Sequence, residues 1–143
     1  MDISIDDIER WHTDPPPKGR GWSRVGYHYF IKRSGVVQSG LAPDFVGIHA
    51  RGYNSNSLAI CLEGGLDENG DPEDNFTEAQ FRSLSSVLSL AKRLYPEAKI
   101  MGHRDISPDL NKNGIIEESE WLKACPCFDV KKELGPSGRL SKA

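Results

Sequence analysis

The chain has 143 residues, enough for one domain around a single core and short for two. Its 37% hydrophobic and 27% charged residues, with 14 Gly and 9 Pro, match a loop-rich globular protein rather than a disordered or fibrous one. The net charge of −3 excludes the basic footprint of a nucleic-acid or anionic-membrane binder, and no apolar run is long enough to span a bilayer.

The start, Met1-Asp-Ile-Ser-Ile-Asp-Asp7, is acidic and lacks the basic flank and apolar stretch of a signal peptide. The expectation is a protein made in the cytoplasm, reaching any outside target only by export or lysis. From Ser4 to about His12 the sequence predicts a short helix. Ser4 can cap it, acidic residues occupy the first turn, and Ile5, Ile8 and Trp11 share a face. Asp14-Pro-Pro-Pro-Lys-Gly-Arg-Gly21 then breaks regular structure. Val25 to Lys32 is rich in β-branched and aromatic residues and predicts a strand, with Val25, Tyr27, Tyr29 and Ile31 on one face and His28 and Phe30 on the other. Ser34-Gly35 turns the chain into a second strand around Val36-Val37. Residues 40–57 are loop-rich.

Ser57 to Glu63 predicts a strand buried on both faces, and its Cys61 reads as a buried thiol. A polar loop follows, from Gly64 to Asn75. Phe76-Thr77-Glu-Ala-Gln80-Phe81 is a strong helix start: Thr77 caps, Gln80 completes a capping box, and Phe76 can staple against Phe81. Phe81, Leu84, Leu88, Ala91 and Tyr95 recur at helical spacing up to Pro96. Lys99-Ile-Met-Gly102 predicts a short strand delivering His103. The order of elements predicts an α/β fold, a mixed central sheet flanked by helices.

Three features carry chemistry together: Gly26-Tyr27-His28, Gly102-His103-Arg-Asp105 and Lys123-Ala-Cys125-Pro. A histidine and a cysteine suit a borderline-soft metal such as Zn²⁺, whose catalytic sites need three protein ligands and an open position. Singly each is weak, since a lone histidine or cysteine is usually a structural residue. The three cysteines, Cys61, Cys125 and Cys127, are too few and too uneven for a disulfide framework.

Five stretches occur in one order: Val25-Gly-Tyr-His-Tyr-Phe-Ile-Lys-Arg-Ser-Gly35, Gly47-Ile-His-Ala-Arg-Gly-Tyr-Asn-Ser-Asn-Ser-Leu58, Asn75-Phe-Thr-Glu-Ala-Gln80, Gly102-His-Arg-Asp105 and Lys123-Ala-Cys-Pro-Cys-Phe-Asp129. In this the chain resembles the type 2 N-acetylmuramoyl-L-alanine amidases, the family of phage lysozyme-amidases and peptidoglycan recognition proteins, from about Ile5 to Phe128. The resemblance implies zinc ligands at His103 and Cys125 and residues assisting catalysis at Tyr27 and Lys123. It implies a peptidoglycan groove at His49, Arg51, Tyr53 and Asn54, and a phage or prophage origin. It also implies metal-assisted hydrolysis of the amide between muramic acid and L-alanine, at the cell wall. The family's first zinc-ligating histidine precedes the helix that holds Trp11-His12, so that ligand and its strand are expected to lie ahead of Met1. With two protein ligands zinc is expected to bind weakly or be absent, and the missing third decides whether this chain is active or inactive. His12, His28 and His49 match no ligand position. A sheet lacking that strand is expected either to be poorly stable or to be covered by self-association.

Between the two ligand positions, Asp109, Asn111, Asn113, Gly114, Ile115, Glu117 and Glu120 match an EF-hand Ca²⁺ loop, with oxygen donors at positions 1, 3, 5, 7, 9 and 12 and Gly at 6. Trp121-Leu-Lys could begin the outgoing helix. The expected organisation is an amidase domain over 1–134 with this loop inserted at 109–120, then a tail over 135–143. The competing readings are a non-catalytic peptidoglycan-binding protein and a calcium-binding interaction module on the same scaffold.

Overall fold

In the computed structural model, which describes residues 3–22, 25–43, 45–47, 57–106, 110–114, 116–120, 126–128 and 130, the first element is helix α1 (Ile5–Thr13). Ser4 caps it: its side chain accepts from the Asp7 N–H, and the Asp7 carboxylate accepts from the Ser4 N–H at 2.9 Å. Arg10 pairs with Asp7 one turn on. The face turned inward differs from the expected one. Ile8 is buried, but Trp11 remains 50% exposed, and His12, four residues after Ile8, is buried instead. His12 takes that position because its ring nitrogen meets a backbone N–H there, a bond that Trp11, with only a donor, could not make.

Three short strands follow: β1 (Tyr29–Ile31), β2 (Val37–Ser39) and β3 (Ile60–Leu62), in the spatial order β2-β1-β3. β1 is antiparallel to β2 and parallel to β3, so Phe30 lies opposite both Gln38 and Cys61. The β1–β2 turn closes through Gly35 N–H to the Lys32 carbonyl at 2.8 Å, and Gly35 has φ +92°, which favours glycine. β1 is shorter than its sequence suggests, yet Gly40 N–H to the His28 carbonyl (2.9 Å) and Leu41 N–H to the Tyr27 carbonyl (3.1 Å) extend its hydrogen bonding backward. The sheet is mixed, as expected.

Ile8, Val25, Phe30 and Leu41 form a core cluster, with Ile3, Ile5, Tyr27 and Cys61 partly buried against it. Each full burial of this kind stabilises by about 1.5–3 kcal/mol. β3 departs from expectation: Ile60, Cys61 and Leu62 are only half-buried. In the described sheet β3 has β1 on one side alone, so its side chains have fewer neighbours.

The chain divides into two compact units, Met1–Glu63 and Gly64–Ala143. The second contains α2 (Glu78–Leu94), capped as expected: Gln80 N–H donates to the Thr77 hydroxyl (3.1 Å) and Thr77 N–H to the Gln80 side chain (2.9 Å). Phe76 and Phe81 meet edge to face at 6.3 Å, completing the staple. Leu84 and Leu88 are buried, whereas Tyr95 lies past the last turn and is exposed. Lys99–Gly102 is not a strand. The Gly102 N–H, which a ladder would need, donates instead to the Asp105 carboxylate at 2.7 Å, and the chain enters a 3₁₀ turn at His103–Ile106. No helix among the described residues is long and apolar enough to cross a membrane.

Candidate active site

In the second unit, His103 opens the 3₁₀ turn and is half-buried. Asp105 fixes the turn from both directions, accepting from Gly102 N–H and donating its own N–H to the Gly102 carbonyl at 3.0 Å. Gly102 is buried with no room for a side chain. A Cβ there would lie 2.7 Å from Pro126 Cδ and 3.1 Å from Val130 Cγ2. The residue before His103 thus packs against the residue after Cys125.

The segment beginning at Pro126 is itself anchored. Cys127 has φ +70° and donates its thiol to the Gly65 carbonyl at 3.3 Å. Phe128, 6% exposed, packs edge to face against Phe81 at 5.2 Å and Phe76 at 5.8 Å. The staple that starts α2 is therefore also the platform for this late loop. Lys123 and Cys125 lie outside the described residues, as do His49, Arg51, Tyr53 and Asn54.

Of the calcium-loop positions, Asn111, Asn113 and Glu117 are described, and the backbone of Glu120 closes a 3₁₀ turn. Asn113 N–H donates to Asn111 Oδ1 (3.1 Å), Asn111 Nδ2 donates to Glu117 (2.7 Å), and Gly114 has φ +81°. Asp109 and Ile115 lie outside the described residues. Among the described residues, no group of three or more His, Cys, Asp or Glu is arranged to hold a metal ion.

In the first unit, Tyr27 is half-buried, and its backbone is held on both sides. Its carbonyl accepts from Leu41 N–H, and the preceding Gly26 N–H donates to His12 Nδ1 at 2.9 Å. Gly40 crosses so close to Tyr27 that a Cβ would come within 2.4 Å of the Tyr27 carbonyl oxygen. His28, fully buried, is the structural residue expected. Its Nδ1 accepts from Ala59 N–H (3.0 Å) and its Nε2 lies 2.7 Å from the Phe45 carbonyl, so both ring nitrogens are committed to backbone. That removes it as a metal ligand.

Two residues escaped the sequence reading. Glu63 is 4% exposed, and its carboxylate accepts from Ile3 N–H (2.6 Å) and Arg33 N–H (2.8 Å), tying the entry to α1 and the β1–β2 turn to the end of β3. The available signal was an acid closing an apolar strand. The sequence marks His12 only as a helix residue at no ligand position; the signal for its burial is its place four residues after Ile8.

The model of the N-acetylmuramoyl-L-alanine amidase family matches residues 4–116. The chain belongs to this family. An endolysin of Enterobacteria phage K11 is 42% identical over 132 residues, covering 92% of this chain and 75% of the endolysin. A solved N-acetylmuramoyl-L-alanine amidase from Clostridium intestinale is 29% identical with a TM-score of 0.56, over 66% of this chain and 56% of that one. Peptidoglycan-recognition protein LB of Drosophila, at 20% identity, shares the fold with a TM-score of 0.63 over 94% of this chain and 63% of its own. The chain therefore spans three quarters of the endolysin and less than two thirds of either solved structure. Tyr27 and His103 fall inside the family match, whereas Lys123 and Cys125 lie beyond its end at residue 116.

Proposed function

We propose that this chain is a zinc-dependent peptidoglycan amidase that cleaves the amide joining the lactyl group of N-acetylmuramic acid to L-alanine. The observation that carries the reading is the packing of Gly102 against Pro126, which joins the segments bearing the two proposed ligands, His103 and Cys125. The likeness to a phage endolysin supports it. An imidazole nitrogen and a thiolate are the donor chemistry zinc prefers, and His103 and Cys125 make two of the three protein ligands that a catalytic zinc takes. Zinc bound there supplies Lewis acidity toward water and the scissile carbonyl. The Tyr27 hydroxyl hydrogen-bonds the attacking water or the developing oxyanion, and the Lys123 ammonium adds positive charge where negative charge grows.

The test is release of new amino termini from purified peptidoglycan, with zinc content measured on the same preparation. Tyr27→Phe should lower kcat on the order of a hundredfold with KM little changed, and Cys125→Ser should lose both zinc and activity. Peptidoglycan that binds but is not cut would indicate the non-catalytic relative instead.

We also propose that the loop at 109–120 takes Ca²⁺. The supporting observation is Gly114, whose φ of +81° is the left-handed conformation that the sixth loop position requires. Calorimetric titration of calcium into chelator-treated protein tests this. Absence of heat and of any change in Tm would sink it.

A further inference from the structure

His12 lies against Tyr27 with both its hydrogen bonding and its ring. Its Nδ1 accepts from the N–H of Gly26, the residue joined to Tyr27, at 2.9 Å. Its ring meets the Tyr27 ring edge to face, centroids 5.2 Å apart and planes at 66°. On the other side it packs against Trp22 at 4.7 Å, and the Arg20 guanidinium lies over Trp22 at 5.1 Å. The Trp22 N–H also donates to the His12 carbonyl at 2.8 Å, so backbone and side chain lock the same stack. His12 is 7% exposed, so a ring lost from this stack would leave space that neighbours must fill.

The chemistry of the contact is specific. To accept from Gly26 N–H, Nδ1 must carry a lone pair, which makes His12 the neutral Nε2–H tautomer. A protonated imidazole would turn an N–H toward the Gly26 N–H, breaking the bond and pushing the backbone next to Tyr27 away. Burial, followed by the positive charge of Arg20, holds the His12 pKa below the ordinary histidine value, which keeps the acceptor in place. Among the described residues, Arg20 by its charge and Tyr27 by its ring are the charged or titratable groups acting on this imidazole.

We infer that His12 is a positioning residue for Tyr27: its neutral imidazole fixes the Gly26–Tyr27 backbone and packs the Tyr27 ring, and so aims the phenol used in amide hydrolysis. The inference rests on the amidase reading for its catalytic consequence, and on geometry alone for its positioning. It differs from ligation or proton transfer, because His12 touches neither substrate nor metal in this role.

The experiment compares His12→Asn, whose amide oxygen can accept from Gly26 as Nδ1 does, with His12→Phe, which keeps a ring and removes the acceptor. Both are assayed for amino-terminus release from purified peptidoglycan. The Tyr27 ring resonances are followed in protein carrying isotope-labelled tyrosine. His12→Phe should lose on the order of tenfold in kcat with KM unchanged and shift the Tyr27 resonances. His12→Asn should recover most of that loss. Unchanged kcat and unchanged Tyr27 resonances in His12→Phe overturn the inference. If the wild type releases no amino termini, the amidase reading fails, and the Tyr27 resonances still decide the positioning. Should His12→Phe not fold, the wild type answers alone. On acidification the Gly26 amide and Tyr27 ring signals must move with the same midpoint as the His12 imidazole; Tyr27 signals that stay still through that titration overturn it.

Discussion

Protonating a buried imidazole that accepts from a backbone N–H costs the fold a hydrogen bond, so His12 makes the stability of the first unit depend on acid. Its pKa in the folded chain is depressed, by burial first and Arg20 second, while in the unfolded chain it returns to about 6.5. Between those two values the unfolded state binds the proton and the folded state does not. Stability should therefore be full above about pH 6.5 and fall as pH drops toward the lowered value, below which this contribution is constant. Urea denaturation from neutral to mildly acidic pH checks it. The slope in that window should flatten in His12→Phe, and an unaltered slope would assign the acid sensitivity elsewhere. Glu63 makes a different claim at the same scale. Its buried carboxylate is the acceptor for Ile3 and Arg33 N–H, so Glu63→Ala leaves two backbone donors without it. The expected loss is about 2–6 kcal/mol at neutral pH, from a penalty of about 1–3 kcal/mol for each of the two unsatisfied groups. A loss under about 0.5 kcal/mol would mean that water or relaxed backbone replaces the acid.

Single elements carry the geometry that joins the proposed ligand segments. Gly102 has 2.7 Å to Pro126 where a methyl group would sit, so Gly102→Ala must push apart the His103 turn and the Pro126 segment. Zinc affinity should fall by more than tenfold while α2 keeps its helicity, because the capping box and staple of α2 do not involve Gly102. Zinc titration and circular dichroism on the same variant read the two effects. Equal affinity would show that the ligands do not depend on this contact. The start of α2 was legible from sequence, because a capping box and a staple are local chemistry spread over six residues, and Thr77, Gln80, Phe76 and Phe81 all do what their spacing implies. So was the Ser34-Gly35 turn. The third partner of the staple was not legible, since Phe128 arrives from far along the chain and nothing local marks it. The missing strand at Lys99–Gly102 has the same origin. Apolar residues there suggested a ladder, but whether a ladder forms depends on a partner and on Asp105 competing for the same N–H. On the site side, the proposed pairing of His103 with Cys125 rests on ordered motifs, and Cys125 lies outside the described residues. The support of Tyr27 by His12 needed the fold, because 15 positions separate them in a sequence whose helix face pointed to Trp11.

At the scale of the whole molecule, 18 basic against 21 acidic side chains leave a net charge of −3. Such a chain gains no general attraction to an anionic cell wall, and the proposed groove must hold its substrate through local polar contacts and shape. Charge attraction between solvent-exposed groups weakens as salt shortens the screening length, from about 10 Å at 0.1 M to shorter distances above it. A basic wall-binding protein would therefore lose affinity steeply with salt. Here the long-range charge term is repulsive, and added salt screens a repulsion. Co-sedimentation with purified peptidoglycan should give binding that holds steady or tightens between about 50 and about 300 mM salt, with the first gain at the low end. The zinc-loaded chain should follow the same curve, because the metal acts within the site and leaves the long-range field nearly unaltered. Binding that weakens several-fold over that range would point to a concentrated basic surface outweighing the net charge, and Lys123 and Arg51 would then be the first side chains to neutralise in turn.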